Sequence, residues 1–357
     1  MIITYDNIIF SLQNSGGISL YWHELMKRIS ITHKELTLYE SKNENLFREV
    51  KQKVFKESVL SVKYLRYLPF LMRIPSKSIF HSSYYRISLQ KDIVNITTVH
   101  DFVYEKYRKG IARSIHSWQK ELAIKKSDGI ICVSKSTKND LLKYYSHIDE
   151  SKIIVIYNGV GEEYEKTNGT IVYYENKYKI LKNKKYLLFV GNRSHYKNFD
   201  IAIQIARKLT NYDLVVVGGN IFNDSEINNL RKLHDRVHHF RGVKSVELNF
   251  LYNNAFCLLY PSCYEGFGLP IAEAMKSGCP VVSTNNSSIP EVAGRAGLLV
   301  SDINAESLIL EIRKLENNKF RDQQIHKGLE QSKKFSWDKC FEETYEFYNK
   351  TYNRKWK

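Results

Sequence analysis

The sequence predicts an α/β protein of two domains, each a parallel sheet covered by helices. Three observations carry that prediction. The chain has 357 residues, more than one hydrophobic core usually organises, so two domains of roughly 150–180 residues are expected. Short apolar runs alternate with longer stretches of helical period, the pattern of strand–helix units. A polar, glycine-bearing, acidic stretch at 158–168 separates two such series. The expected division is 1–160, 170–335, and a tail at 337–357 that packs back toward the first domain.

Along the first series, residues 2–5 form a strand. The loop Gln13-Asn14-Ser15-Gly16-Gly17-Ile18-Ser19 leads into an amphipathic helix at 20–29. A strand at 93–99 ends at His100-Asp101. Another at 129–133 ends at Ser134, with Ser136 or Thr137 as N-cap of a helix that runs through Tyr145. A strand at 153–156 closes the series. The second series reads as strands at 186–190, 214–217, 237–240, 257–260 and 280–283. Helices at 198–209, 224–234, 245–254 and 270–277 lie between them. The tail at 337–352 is a helix with aromatics on one side.

Hydrophobic residues make up 43% and charged residues 26% of the chain, the balance of a folded globular protein and not of a disordered one. No apolar run reaches the length of about 18 residues that a membrane-spanning helix needs. The start Met1-Ile2-Ile3-Thr4-Tyr5-Asp6 lacks a basic region and a small-residue cleavage site, so no secretory signal is expected. Cys132, Cys257, Cys263, Cys279 and Cys340 form no Cys-x-x-Cys and are read as reduced cytosolic thiols.

The formal charge is +16, of which residues 1–160 carry +10 and the rest +6. Such an excess favours nucleic acid, nucleoside diphosphates or an acidic membrane surface, unless it is a lysine-rich solvated surface. The segment 58–77 has no acidic residue and interleaves Lys63, Arg66, Arg73 and Lys77 with Tyr64, Tyr67, Leu68, Phe70, Leu71 and Met72. It suits an anionic membrane interface. The alternative is a core helix with snorkelling basic stems, although Pro69 interrupts any single helix.

The strongest chemical pattern is Tyr264-Glu265-Gly266-Phe267-Gly268-Leu269-Pro270-Ile271-Ala272-Glu273-Ala274-Met275. A strand ends, a loop follows, and a helix opens near Pro270. Backbone amides of Phe267, Gly268 and Leu269 at a helix start make a phosphate site. Glu265 before the helix and Glu273 in its first turn are spaced to touch two ends of a ligand whose phosphates lie between them. A glycosidase pair is a competing reading, and a capped helix with two solvated glutamates is the plain one. After the strand at 186–190, Arg193 and Lys197 leave the carboxyl edge, where ligands of open α/β sheets bind. Two cations there suit a diphosphate. Gly16-Gly17 permits close backbone approach to a phosphate or sugar, although Gly-x-Gly-x-x-Gly is absent. His100 ends an apolar strand at a carboxyl edge. No Asp-x-Asp occurs to hold a metal-bound diphosphate.

These residues resemble the family 4 retaining glycosyltransferases, of GT-B fold, in which two Rossmann-like domains face across a cleft. The resemblance covers nearly the whole chain. It rests on the Glu-x7-Glu block from Glu265 to Glu273, on Phe189-Val190-Gly191 with Lys197-Asn198, and on Ser134-Lys135-Ser136. Tyr157-Asn158-Gly159-Val160 and Pro290-Glu291-Val292-Ala293-Gly294 add to it. Gly16-Gly17-Ile18-Ser19 with Tyr21 is similar to the bacterial branch of O-antigen and capsule mannosyl- and rhamnosyltransferases.

The resemblance implies transfer of a hexosyl group, with retention, from a nucleoside-diphosphate sugar to a surface-polysaccharide or lipid-linked acceptor. It implies no metal or other cofactor. Arg193, Lys197 and the amides of Phe267, Gly268 and Leu269 would hold the diphosphate, Glu273 the ribose and Glu265 the transferred sugar. His100 would lie near that sugar, and Gly16 and Gly17 would line the cleft. Many members place the arginine directly after the strand glycine or before the lysine; here Asn192 and Tyr196 stand there. The first domain would face the acceptor, on the inner face of an anionic membrane. A sugar-nucleotide 2-epimerase of the same fold, a non-catalytic sugar- or membrane-binding adaptor, and a nucleic-acid binder are the alternatives. For the last, the sequence contains no recognisable module.

Overall fold

The structure is a computed structural model. It describes residues 1–32, 35–48, 54–57, 61–167 and 172–356; the first three residues of the basic–aromatic segment and Asn168 of the separating stretch lie outside them. The chain divides into two units, one of residues 1–159 and 337–357, the other of 160–336.

In the first unit, β1 (Ile2–Asp6), β2 (Leu36–Tyr39), β3 (Val54–Phe55), β4 (Ser78–Ser82), β5 (Val94–Val99), β6 (Gly129–Cys132) and β7 (Ile153–Val155) form one parallel sheet in the order β3-β2-β1-β4-β5-β6-β7. β4 and β5 are buried along their whole length, as strands covered on both faces must be. Strands β2, β3 and β4 are not among those the sequence pattern predicts. The helix Gly17–Thr32 follows the glycine pair, and Ile111–Lys126 leads to β6. The helix Lys135–Tyr144 is capped by Ser134, whose side chain accepts from Thr137 N. This corrects the expected cap at Ser136 or Thr137: the extended residue just before the helix is the one able to turn its hydroxyl back on the orphan amide.

The C-terminal helix Trp337–Trp356 belongs to this unit. Tyr348 is fully buried, and its hydroxyl meets His81 Nδ1 at 2.6 Å and Tyr5 OH at 3.1 Å. His81 Nε2 lies 3.0 Å from Thr98 Oγ1. Burial pulls the His81 imidazole down to about 3, so it is neutral in this network.

In the second unit, β8 (Tyr186–Val190), β9 (Asp213–Val217), β10 (Val237–Phe240), β11 (Cys257–Tyr260), β12 (Val281–Thr284) and β13 (Gly297–Val300) are all parallel, in the order β10-β9-β8-β11-β12-β13. This is the Rossmann order, with its reversal between β8 and β11. The helix Phe199–Lys208 buries Phe199, Ala202, Ile203, Ile205 and Ala206 against Leu187, Phe189, Leu214 and Val216 of the sheet. Each large side chain so buried contributes about 1.5–3 kcal/mol. Both units are therefore Rossmann-like.

Candidate active site

The order of the second sheet decides where its functional residues lie. The loops after β8 and β11 leave the carboxyl ends of the two strands that flank the reversal, the usual ligand position of such sheets. The first loop carries Lys197 and the second Glu265. A single 3-10 turn, His195–Lys197, follows β8. It is stitched to the other loop: Asn198 Nδ2 donates to Pro261 O at 2.8 Å, and Cys263 N donates to Tyr196 O at 2.7 Å.

Lys197 is buried. Its ammonium donates to Glu265 Oε1 at 2.8 Å and to Tyr260 OH at 2.9 Å. Tyr260 OH and Ser262 Oγ donate to that same Oε1, at 2.8 and 2.7 Å. Gly191 sits at φ +123°, a conformation that favours glycine, and a Cβ added there would stand 3.5 Å from the ammonium. Ser287 Oγ receives Glu265 N at 2.8 Å, and Ser288 Oγ donates to the carbonyls of Glu265 and Phe267, both at 2.9 Å. Tyr260, Ser262, Ser287 and Ser288 are absent from the sequence-based site. Their positions, at the end of β11 and within a few residues beyond β11 and β12, are the trace they leave there.

Gly268, in the left-handed region at φ +97°, precedes the helix Leu269–Lys276. Its residue and Leu269 present amides at a helix N-terminus. Glu273 lies in the second turn of this helix and not the first, because the helix opens at Leu269. It is buried, and Tyr252 OH donates to its Oε2 at 3.0 Å. Burial raises its carboxyl to about 7, against the lowering effect of the Tyr252 hydrogen bond. The pair is therefore not two solvated glutamates on a capped helix.

Arg193 is placed differently from expectation. Its Nε donates to Glu226 Oε1 at 2.7 Å, and Nη2 donates to the carbonyls of Asn220 and Ile221 at 2.7 and 3.1 Å. The guanidinium stands over the Phe222 ring at 4.6 Å. It braces the loop after β9 and is not paired with Lys197 as a second open cation: its several fixed donors are taken up by one carboxylate and two backbone carbonyls.

Two family models match: "Glycosyl transferases group 1" over residues 174–331 and "Glycosyltransferase Family 4" over residues 15–164. An uncharacterized glycosyltransferase of Methanocaldococcus jannaschii is 30% identical over 91% of this chain and 92% of its own length. The chain belongs to glycosyltransferase family 4. "O-antigen chain mannosyltransferase B" of Escherichia coli is 35% identical over 46% of this chain, and the match spans 45% of that relative, less than half its length. Among solved structures, Anabaena Alr3699/HepE in complex with UDP-glucose superposes with a TM-score of 0.75 at 14% identity, covering 97% of this chain and 99% of that one. That likeness is one of fold, and the GT-B pair of Rossmann-like domains is shown.

In the first unit of this family 4 glycosyltransferase, Gly17 opens its helix and the Gly16 carbonyl accepts from Leu20 N and Ser19 Oγ, both at 3.0 Å. His100 follows β5 and stands edge-on to Tyr21, ring centroids 5.0 Å apart. Its buried Nε2 has no hydrogen-bond partner among the described residues. Burial, with the Lys120 charge nearby, pulls its imidazole down to about 3. Among the described residues, no group of three or more histidine, cysteine, aspartate or glutamate side chains is placed to hold a metal ion.

Proposed function

We propose that this chain transfers a hexosyl group, with retention and without a metal, from a nucleoside-diphosphate sugar to a surface-polysaccharide or lipid-linked saccharide. The observation that carries the reading is the Lys197–Glu265 pair beside the helix start at Gly268 and Leu269. A glycosyl donor needs positive charge at its diphosphate and hydrogen-bond acceptors at its sugar, fixed in place before the barrier is climbed. Lys197 and the helix amides supply the first. The Oε2 of Glu265 supplies the second, its Oε1 being filled by three donors. Glu273 takes the ribose hydroxyls. The bond from the sugar C1 to the phosphate oxygen breaks while the acceptor oxygen bonds C1 on the same face. The acceptor's proton passes to the leaving phosphate.

The first unit meets the acceptor and the cytoplasmic face of an anionic membrane. Supporting this, Tyr64 and Leu71 are 71% and 57% exposed beside Lys63 and Arg73. On the helix Ile111–Lys126, Trp118 is 61% exposed. That helix adjoins the segment through a hydrogen bond from Gln119 to the Arg66 carbonyl. No helix among the described residues is long and apolar enough to cross a membrane. A mannosyl donor is the first to try, given the name of the Escherichia coli relative. The experiment is incubation with GDP-, UDP- and dTDP-sugars and a lipid-linked acceptor. Released nucleoside diphosphate and a product of unchanged anomeric configuration are expected. An inverted product, or a free epimerised sugar, overturns the reading.

A further inference from the structure

The loop Gly218-Gly219-Asn220-Ile221-Phe222 joins β9 to the helix Asp224–Leu230, and it is built around Arg193. Because β9 lies next to β8, this loop leaves the same carboxyl edge as Lys197. Gly191, beside the Lys197 ammonium, also borders the loop: a Cβ added at Gly218 would stand 3.4 Å from the Gly191 carbonyl oxygen. The Arg193 side chain is only 5% exposed. Its Nε and Nη2 are occupied by Glu226 and by the carbonyls of Asn220 and Ile221, and Nη1 donates to Gly218 O at 3.4 Å. His239 Nε2 donates to that same Gly218 carbonyl at 2.8 Å. The Phe222 ring, which faces the guanidinium, lies 4.5 Å from the His239 ring and stacks on Phe199 at 6.0 Å.

Gly219, at φ +71°, is the position that lets the arginine in. An added Cβ would come within 2.6 Å of Nη1, so an alanine there displaces the guanidinium as well as straining the backbone. The loop carbonyls accept inward, toward this one cation. No described peptide bond is cis, so each N–H points opposite to the carbonyl before it. The amides of Gly219, Ile221 and Phe222 are therefore turned away from the guanidinium. Amides freed in this way at the carboxyl edge of a parallel sheet suit an anionic ligand.

We propose that Arg193 is a positioning residue for the donor: it clamps the loop after β9 in the form that offers those amides to the nucleoside diphosphate, and it does not touch the phosphates itself. The assignment rests on the reading of the second unit as the donor side. Glu226 is the other half of the clamp, since it holds Arg193 and closes the capping box of the next helix with Asn223.

The test is calorimetric titration of the full chain with GDP, UDP and dTDP, in the wild type and in Arg193→Lys, Arg193→Met, Glu226→Gln and Gly219→Ala. Glutamine also serves in a capping box, so Glu226→Gln keeps the helix start and loosens only Arg193. A phosphate ligand held back by Glu226 would be freed by that change, and binding would tighten. For a clamp the sign is opposite: the tightest-bound nucleotide weakens about tenfold. Gly219→Ala weakens it likewise, although no charge changes. Arg193→Lys keeps the charge but not the forked contacts, and loses as much as Arg193→Met. With whichever GDP-, UDP- or dTDP-sugar is turned over, donor KM rises about tenfold while kcat stays within about twofold, the mark of binding lost equally from ground and transition states. Thermal unfolding reports which variants are folded, and three separate positions ensure that one misfolded variant leaves the others to decide. Tighter binding by Glu226→Gln, rescue by Arg193→Lys, or unchanged binding in the folded variants overturns the clamp and leaves the donor reading standing. A wild type that binds none of the three nucleotides overturns the donor reading, and the clamp with it.

Discussion

Lys197 and Glu265, 68 residues apart in the chain, meet at 2.8 Å between Nζ and Oε1. The cation proposed for the donor diphosphate and the carboxylate proposed for its sugar are thus one unit, each holding the other in place. Removing either leaves the other's charge unpaired and its position unheld, which sets the form of the first test.

Lys197→Ala lowers turnover about 10²–10³-fold, the loss typical of one electrostatic stabiliser. It also strands the largely buried Glu265 carboxylate, so stability falls as well. The double variant Lys197→Met/Glu265→Gln removes both charges and regains stability without regaining turnover. Steady-state kinetics with thermal unfolding separate the two effects, and near-normal turnover in folded Lys197→Ala would end the assignment.

Glu273 makes folding depend on pH. Its carboxyl is raised by burial from 4.5 to about 7, so the native state keeps a proton that the unfolded chain releases first. Its contribution to stability is complete below the unfolded value and is lost as pH rises through about 7. Glu273→Gln abolishes that slope. Between about pH 5 and about pH 8 the variant gains on the wild type by at most about 3 kcal/mol. Denaturant titrations at the two pH values check it, and parallel curves would refute it.

Transfer activity persists in EDTA, because Lys197 and the helix amides supply the charge that a divalent ion would otherwise bring to the diphosphate. Loss on chelation with recovery on adding Mn²⁺ or Mg²⁺ contradicts this.

Binding to vesicles depends on the exposed face of the 61–77 segment. Each surface-proximal lysine or arginine adds about 1 kcal/mol with anionic lipid. Replacing Lys63, Arg73 and Lys77 with Gln releases the protein from anionic vesicles in co-sedimentation, and Tyr64→Ser with Leu71→Ser weakens binding further. Equal partitioning onto neutral and anionic vesicles would leave the segment as ordinary surface.

Tyr348→Phe removes the hydroxyl shared by His81 and Tyr5 in the core of the first unit. The stranded partners cost about 1–3 kcal/mol, read as a lowered denaturation midpoint. An unchanged midpoint would mean the contact is dispensable.

Periodicity in the chain determined the element types where burial is one-dimensional. The all-apolar run Tyr186–Val190 is a strand end to end, and the 3.6-residue stripe after it is the helix Phe199–Lys208. The Glu265–Glu273 spacing and the glycines around it were legible for the same local reason, since a strand, turn and helix start need those residue types in that order. Short strands such as β2 and β4 were not, because four or five residues with Thr, Ser or His among them carry too weak a pattern. The partners of the site residues were decided only by tertiary structure. Lys197 reaches Glu265 because the sheet reversal sets β8 beside β11. Arg193 turns to Glu226 because the segment after β9 offers two backbone carbonyls and, at the start of the next helix, a carboxylate. Glu273 holds its proton to about pH 7 because the packed fold closes it from water, against the lowering effect of the hydrogen bond from Tyr252 on another helix. Local sequence dictates backbone conformation, but charge, pairing and desolvation belong to whichever distant side chains the fold brings within a few ångströms.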